Sequence, residues 1–127
     1  MSGRPAPAPV SLTVPAFADQ LHLVRLLTAG VAGATELDAD EVEDLKIAVE
    51  ELGAVLLGPG GIGDELRATI SAGPGAVVVI GQRSWDGSPI ELDDFLVTIL
   101  DAVVDRYRIE VTGEQATFRV EKDLRGR

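Results

Sequence analysis

The sequence contains no cysteine and few aromatic residues, and both absences narrow the kinds of protein it can be. Without cysteine, the chain has no disulfide framework and no thiol chemistry. Aromatic residues make up only 4% of the chain, so we expect an aliphatic core. No apolar run reaches the roughly 18 residues of a membrane-spanning helix. The opening residues, MSGRPAPAPV, also lack the apolar core of a signal peptide. These absences predict a cytoplasmic protein that does not enter a membrane.

Positive charge is scarce as well. The 127 residues carry 11 Lys and Arg against 21 Asp and Glu, which gives a net charge of −10. Such a charge argues against binding to nucleic acid or to an anionic membrane through a general electrostatic field. It suits solubility, or a partner with a basic surface. Because hydrophobic residues make up 46% of the chain, we expect one folded domain with its own core.

Apolar periodicity divides the chain into a domain and two tails. Residues 1–9 are rich in proline and alanine and are expected to be disordered, residues 10–122 form the domain, and residues 123–127 are a polar tail. Helices are predicted at 20–34, with Asp19 as N-cap, at 38–57 and at 93–105, and strands at 10–14, 66–71, 76–80, 108–111 and 117–120. The order β-α-α-β-β-α-β-β predicts the α+β class. We expect a two-layer α/β sandwich whose mixed, mainly antiparallel sheet carries three helices on one face.

The second predicted helix, from Asp38 to Leu57, has the most informative pattern. Asp38 followed three residues later by Glu41 is typical of a capping box. Further carboxylates crowd the first turns, where the helix dipole favours negative charge. Apolar side chains recur at helical spacing along the segment: Val42, Leu45, Val49, Leu52 and Leu56. The pattern predicts a well-capped helix with one face on the core.

Residues 42–51 of this helix read V-E-D-L-K-I-A-V-E-E. The stretch resembles the helix of RsbW-type anti-sigma factors, which reads approximately I-E-D-[LM]-K-x-A-V-S-E-A-x-x-N. That family belongs to the GHKL superfamily of histidine kinase-like ATPases, and the similarity extends over most of the domain. The resemblance implies a Bergerat (GHKL-like) fold and a homodimer that holds a sigma factor. It also implies phosphorylation of a serine on an anti-anti-sigma (STAS-domain) partner with ATP and Mg²⁺.

The family's catalytic motif on this helix, E-x-x-x-N, is only half present. By the resemblance, Glu51 stands at the position of the general base, and Val55 stands at the position of the Asn that holds Mg²⁺. A valine has no oxygen to offer a hard cation that prefers oxygen ligands. We therefore interpret Glu51 as a vestigial catalytic residue and expect no metal site.

The family's nucleotide-binding motif D-x-G-x-G is also absent at its expected place. Aligning the apolar strand 76–80 with the strand before that motif puts Gly81 at the adenine-reading Asp. Arg83 and Trp85 then stand at the two glycines, whose role in the family is to let the backbone approach the nucleotide.

Two further family motifs differ in the last third of the chain. Asp94 and Leu96 stand at the glycines of a G-x-G whose bare N–H groups would bind phosphate at a helix N-terminus. The Gly-Thr that opens the family's final strand is Gln115-Ala116 here. Four departures together predict a protein without nucleotide binding and without a cofactor. ATP and Mg²⁺ would be required only if the kinase activity were retained.

Arg25, on the first predicted helix, matches an arginine through which the family contacts its sigma factor and antagonist. A planar, permanently charged guanidinium suits carboxylate recognition. The resemblance therefore predicts an anti-sigma regulator that is released by a STAS partner and has no kinase activity. Two alternatives stay open: an active ATP-dependent serine kinase of the anti-anti-sigma factor, and an acidic dimeric scaffold for another regulator.

Overall fold

The computed structural model describes residues 8–124 and confirms the predicted order of elements. The strands in this range are β1 (Val10–Pro15), β2 (Glu65–Ala72), β3 (Ala76–Ser84), β4 (Arg106–Thr112) and β5 (Gln115–Asp123). The helices are α1 (Leu21–Gly33), α2 (Ala39–Leu56) and α3 (Asp94–Val103), and a short 3-10 helix, Ala18–Gln20, precedes α1. Of the two predicted tails, residues 1–7 and 125–127 lie outside the described residues. Asp123, which the sequence pattern assigns to the second tail, is the last residue of β5.

The five strands form one sheet in the order β1-β2-β3-β5-β4. Each neighbouring pair is antiparallel, so the sheet is wholly antiparallel rather than mixed. The reason lies in the final hairpin. Strand β4 runs in the same direction as β3, but β5 is inserted between them and is antiparallel to both.

Alternation along the strands determines which face of the sheet is buried. Leu66, Ala68 and Ile70 of β2 are buried, whereas Arg67 between them is exposed. The helices lie on the buried face: α1 contacts β2, α2 contacts β3 and β5, and α3 packs against α2. No helix of the described chain covers the opposite face, which carries mostly polar and charged side chains. The two-layer sandwich with its helices on one side is thus confirmed.

Helix α2 begins with the predicted capping box. The Glu41 N–H donates to Asp38 Oδ1 at 2.8 Å, and the Asp38 N–H donates to Glu41 Oε1 at 3.0 Å. The buried positions of this helix are Leu45, Ala48, Val49, Leu52, Gly53 and Leu56. Four of the five residues of the predicted stripe are thus buried and Val42 is half-buried, and the added small residues let α2 pack at the centre of the core.

The start of α1 differs from the prediction. Asp19 lies within the 3-10 helix, and Gln20 precedes α1 without a capping hydrogen bond from its side chain. The backbone C=O of Asp19 lies 2.9 Å from the His22 ring Nδ1 instead. The expected N-cap at Asp19 is therefore wrong, because Asp19 is itself part of the extra 3-10 turn that precedes α1. None of the helices between residues 8 and 124 has both the length and the apolarity needed to cross a membrane.

Candidate functional site

Glu51 and Val55 lie one turn apart near the end of α2, as their spacing predicts. Both are half-buried. The Glu51 carboxylate makes no hydrogen bond or ion pair within the described part of the chain. Near its C-terminus, helix α2 therefore offers the free carboxylate of Glu51 and, one turn later, an aliphatic side chain that cannot bind a cation.

Gly81, the position aligned with the adenine-reading Asp, is covered by the ring of Phe118. The two residues are direct partners in β3 and β5. A Cβ atom added at Gly81 would lie 2.1 Å from Phe118 Cε2, a distance that carbon atoms do not tolerate. The Phe118 side chain is itself only 1% exposed. A side chain at position 81 would therefore require the ring to move out of the core.

Arg83, at the first glycine position of the motif, ties the end of β3 to the end of α2. Its Nη1 donates to the Leu56 C=O at 2.7 Å, and its Nη2 donates to the Gly63 C=O at 2.8 Å. The Leu56 carbonyl belongs to the last turn of α2, where carbonyls lack intrahelical donors and the dipole favours a cation. The Nε atom of Arg83 is buried and has no hydrogen-bond partner. Arg83 thus acts as a C-terminal cap of α2.

Trp85, at the second glycine position, closes the same region. Its side chain is 3% exposed, and its Nε1–H donates to the Ser88 C=O at 2.9 Å. The indole ring lies against Gly60, where an added Cβ would be 2.4 Å from Cε2. Gly61 forms an isolated β-bridge with Trp85. The loop after α2 is therefore packed directly on the end of β3.

The N-terminus of α3 carries negative charge where the family motif would bind phosphate. Asp93 is the N-cap, and its carboxylate accepts the Leu96 N–H at 2.8 Å. Asp94 adds a second, exposed carboxylate in the first turn. Because Asp93 already occupies a backbone donor of the first turn, this helix start disfavours an anion.

Arg25 lies at an exposed junction of α1 and α2. Its Nη1 donates to Glu50 Oε2 at 2.7 Å, and the two side chains are 38% and 48% exposed. Its Nε and Nη2 atoms make no hydrogen bond within the described residues. Leu23 and Leu26 on α1 and Ile47 on α2 are exposed apolar side chains on the same two helices. We give the name α1–α2 surface to Arg25 and Glu50, which are in contact, and to Ile47, which lies one turn before Glu50 on α2.

Several of these contacts are not visible in the sequence. A glycine inside a strand indicates that another group approaches the backbone closely, but the predicted strand ends at residue 80, whereas β3 continues through Gly81 to Ser84. The approaching residue, Phe118, follows only from the register between β3 and β5, since 37 residues separate the two positions. The bonds of Arg83 likewise join segments that are distant in sequence.

The sequence matches no protein-family model, and no curated protein is significantly similar to it. No group of three or more potential metal-ligating side chains occurs among residues 8–124. The resemblance to the anti-sigma family therefore depends on the pattern of residues 42–51, the order of elements and the position of Arg25.

Proposed function

We propose that this protein is an anti-sigma regulator that works without ATP. In this proposal a homodimer binds a sigma factor through the α1–α2 surface and is released when an anti-anti-sigma (STAS-domain) protein binds the same surface. The helix motif of residues 42–51 and the order of elements support it. Sedimentation velocity at micromolar concentration tests the dimer.

The packing of Phe118 against Gly81 is the observation that supports the proposed loss of ATP binding. The ring occupies the space in which the family motif places an Asp for the adenine amino group. Arg83 and Trp85 fill the two glycine positions and are held there by hydrogen bonds. A nucleotide would have to displace these side chains and would leave backbone carbonyls of the α2 terminus without a donor. Such orphaned groups cost about 1–3 kcal/mol each.

Calorimetric titration of the full chain with ATP and Mg²⁺ tests this part. We expect no heat of binding at nucleotide concentrations up to about 1 mM. The binding free energy of ATP is then weaker than about −4 kcal/mol, the value for a dissociation constant of about 1 mM. Circular dichroism of the same sample shows that the protein is folded. Micromolar affinity for ATP would contradict the proposal.

The α1–α2 surface has the chemistry of a protein-binding patch. Arginine is enriched among the residues that dominate binding energies, because its planar fork donates several hydrogen bonds at once. Arg25 uses only one of its terminal nitrogens on Glu50. The segment from Asp38 to Leu57 carries seven carboxylates and one lysine, so a partner with basic residues around the contact is favoured.

Charge reversal at Arg25 tests the surface. Tagged protein is purified from its native host, the bound proteins are identified by mass spectrometry, and the dissociation constant of a recovered sigma subunit is measured with purified components. We expect Arg25→Glu to weaken binding at least about tenfold, or about 1.4 kcal/mol. The melting temperature should change by no more than a few degrees, because exposed ion pairs contribute little stability.

Arg67→Glu is the matched control, because Arg67 is an exposed arginine on the sheet face opposite the helices. Its sigma-factor binding should equal that of the wild type. Unchanged binding of Arg25→Glu would exclude Arg25 from the contact. Absence of any sigma subunit would favour the scaffold alternative.

The free carboxylate of Glu51 favours one second candidate, an active serine kinase with an altered nucleotide site. Incubation with a STAS-domain protein and labelled ATP distinguishes the two. Label transfer that disappears in Glu51→Gln would establish the kinase. No transfer is expected from the ATP-independent regulator.

A further inference from the structure

The sheet face opposite the helices carries a cluster of arginines. Arg106 and Arg108 alternate with the inward-facing residues of β4, and Arg119 lies between the buried Phe118 and Val120 of β5. A hollow of about 260 Å³ opens on this face, and its lining consists of Arg106, Tyr107, Arg108, Arg119 and Glu121. Three guanidinium groups and one carboxylate line this hollow, and Asp123 beside it pairs with Arg106, which leaves Arg108 and Arg119 as the lining arginines with unused terminal nitrogens.

Within this hollow, Arg108 and Arg119 are direct partners across β4 and β5. Side chains of directly opposed residues are close neighbours, and like charges in this position destabilise a sheet. Negative charge between the two guanidinium groups would relieve this repulsion.

The neighbouring carboxylates between residues 8 and 124 do not lie between the two groups. Glu121 accepts from Arg119 Nε at 3.1 Å and from Arg106 Nη2 at 3.2 Å, so it lies beside each arginine rather than between the pair. Glu110 approaches Arg108 Nε only to 4.0 Å. Arg108 makes no hydrogen bond within the described residues, and neither do the two terminal nitrogens of Arg119. The pair therefore presents a set of unused, charged donors to solvent.

We propose that this hollow binds an oxyanion, a phosphate or carboxylate group, between the guanidinium groups of Arg108 and Arg119. Phosphate and carboxylate both present their oxygens in a geometry that matches the planar fork of arginine. Such charge-assisted pairs are the strong hydrogen bonds of proteins. The bound anion removes the repulsion between the two arginines. The site lies on the opposite side of the sheet from the α1–α2 surface, so it does not depend on the proposed function.

Nuclear magnetic resonance of the arginine Nε–H groups tests the site directly. The full chain is titrated with inorganic phosphate and, separately, with succinate at constant ionic strength, and NaCl is the reference. We expect saturable shifts at Arg108 and Arg119 with at least one of the two oxyanions and none with NaCl. Saturation by phosphate alone identifies a phosphate site, and saturation by succinate alone identifies a carboxylate site.

Arg108→Gln and Arg119→Gln should each weaken the saturable binding at least tenfold, with the backbone amide spectrum retained. Arg67→Gln is the control, because Arg67 lies on the same face in a different hollow. It should leave the affinity unchanged. Shifts that do not saturate, that survive both substitutions, or that are weakened equally by Arg67→Gln would overturn the proposal.

Discussion

At Gly81, the absence of a side chain determines what β3 can pack against. We expect Gly81→Ala to lower the free energy of unfolding by about 1–3 kcal/mol, because the added methyl group overlaps the Phe118 ring in the core. Urea denaturation followed by circular dichroism measures the change. Gly30→Ala is the control, since an added Cβ at Gly30 meets no atom within 4 Å and alanine favours a helix. Gly30→Ala should be neutral or stabilising.

The cause can be separated with a second substitution at Phe118. When Phe118→Leu is already present, the further cost of Gly81→Ala should become smaller, because the overlapping ring is gone. Residues in contact show such non-additive effects. Strictly additive costs would mean that something other than the ring limits position 81.

Glu121 links the stability of the final hairpin to pH. The hydrogen bond from Arg119, followed by that from Arg106, holds the pKa of Glu121 below its ordinary value of 4.5. The ionised form is thus favoured in the folded protein, and the stabilisation is fully present above pH 4.5 and is lost as the pH falls through the lowered pKa. We expect Glu121→Gln to cost about 0.5 kcal/mol at pH 7, because the ion pairs lie at the protein surface, where water screens them in part.

Melting temperatures of the wild type and of Glu121→Gln, measured from pH 7 down to pH 3, test this linkage. The difference between the two proteins should shrink as the pH drops below 4.5. A constant difference over this range would show that Glu121 stabilises the hairpin by packing rather than by its charge.

Individual site residues differ in how far the sequence predicts their environment. The positions of Glu51 and Val55 on one helix follow from helical spacing, which is a local property. The environments of Gly81 and Arg83 do not, because Phe118 and Leu56 reach them through strand register and the folding back of the α2 loop. The motif comparison predicts that nucleotide residues are absent, but not which side chains fill the space.

At the level of elements, the two long helices begin in different ways. The start of α2 is predictable because Asp38 and Glu41 satisfy each other's backbone groups within four residues. The start of α1 is not, since the 3-10 helix at Ala18–Gln20 is stabilised by backbone bonds that leave no side-chain signature.

The capping box of α2 should therefore contribute measurably to stability. We expect Asp38→Ala to lower the free energy of unfolding by about 1 kcal/mol, because the Glu41 N–H loses its acceptor. Asp40→Ala removes a charge of the same sign from the first turn without removing the cap, and it should cost only about 0.3 kcal/mol. Equal losses in urea denaturation would mean that charge near the helix start, rather than the cap, provides the stabilisation.

At the level of the whole molecule, negative charge is distributed unevenly. The net charge is −10, and α2 with its N-cap holds seven carboxylates against one lysine. Repulsion among these carboxylates is long-range and is screened by salt, with a Debye length of about 8 Å at 0.15 M.

The overall layers could be predicted from the sequence, because the alternation of apolar and polar residues along a strand indicates which face is buried. The insertion of β5 between β3 and β4 was not predictable, because local patterns do not encode strand order.

We expect the melting temperature to rise as NaCl is increased from about 0.01 M to about 0.15 M, because the Debye length falls from about 30 Å to about 8 Å. Differential scanning calorimetry at neutral pH measures the shift. The opposite trend would indicate that ion pairs such as Arg106–Asp123, which salt weakens, outweigh the general repulsion.

Trp85 is the only tryptophan in the chain, and it is buried where the loop after α2 meets the end of β3. Its fluorescence therefore reports on that junction alone. While the junction is closed, we expect emission at short wavelength and protection from iodide quenching, because the indole is 3% exposed. Local opening would shift the emission to longer wavelength while the far-ultraviolet circular dichroism of the helices and sheet stays unchanged. The indole ring, which the resemblance aligns with the second glycine of the nucleotide motif, thereby becomes an optical probe of whether that region ever opens.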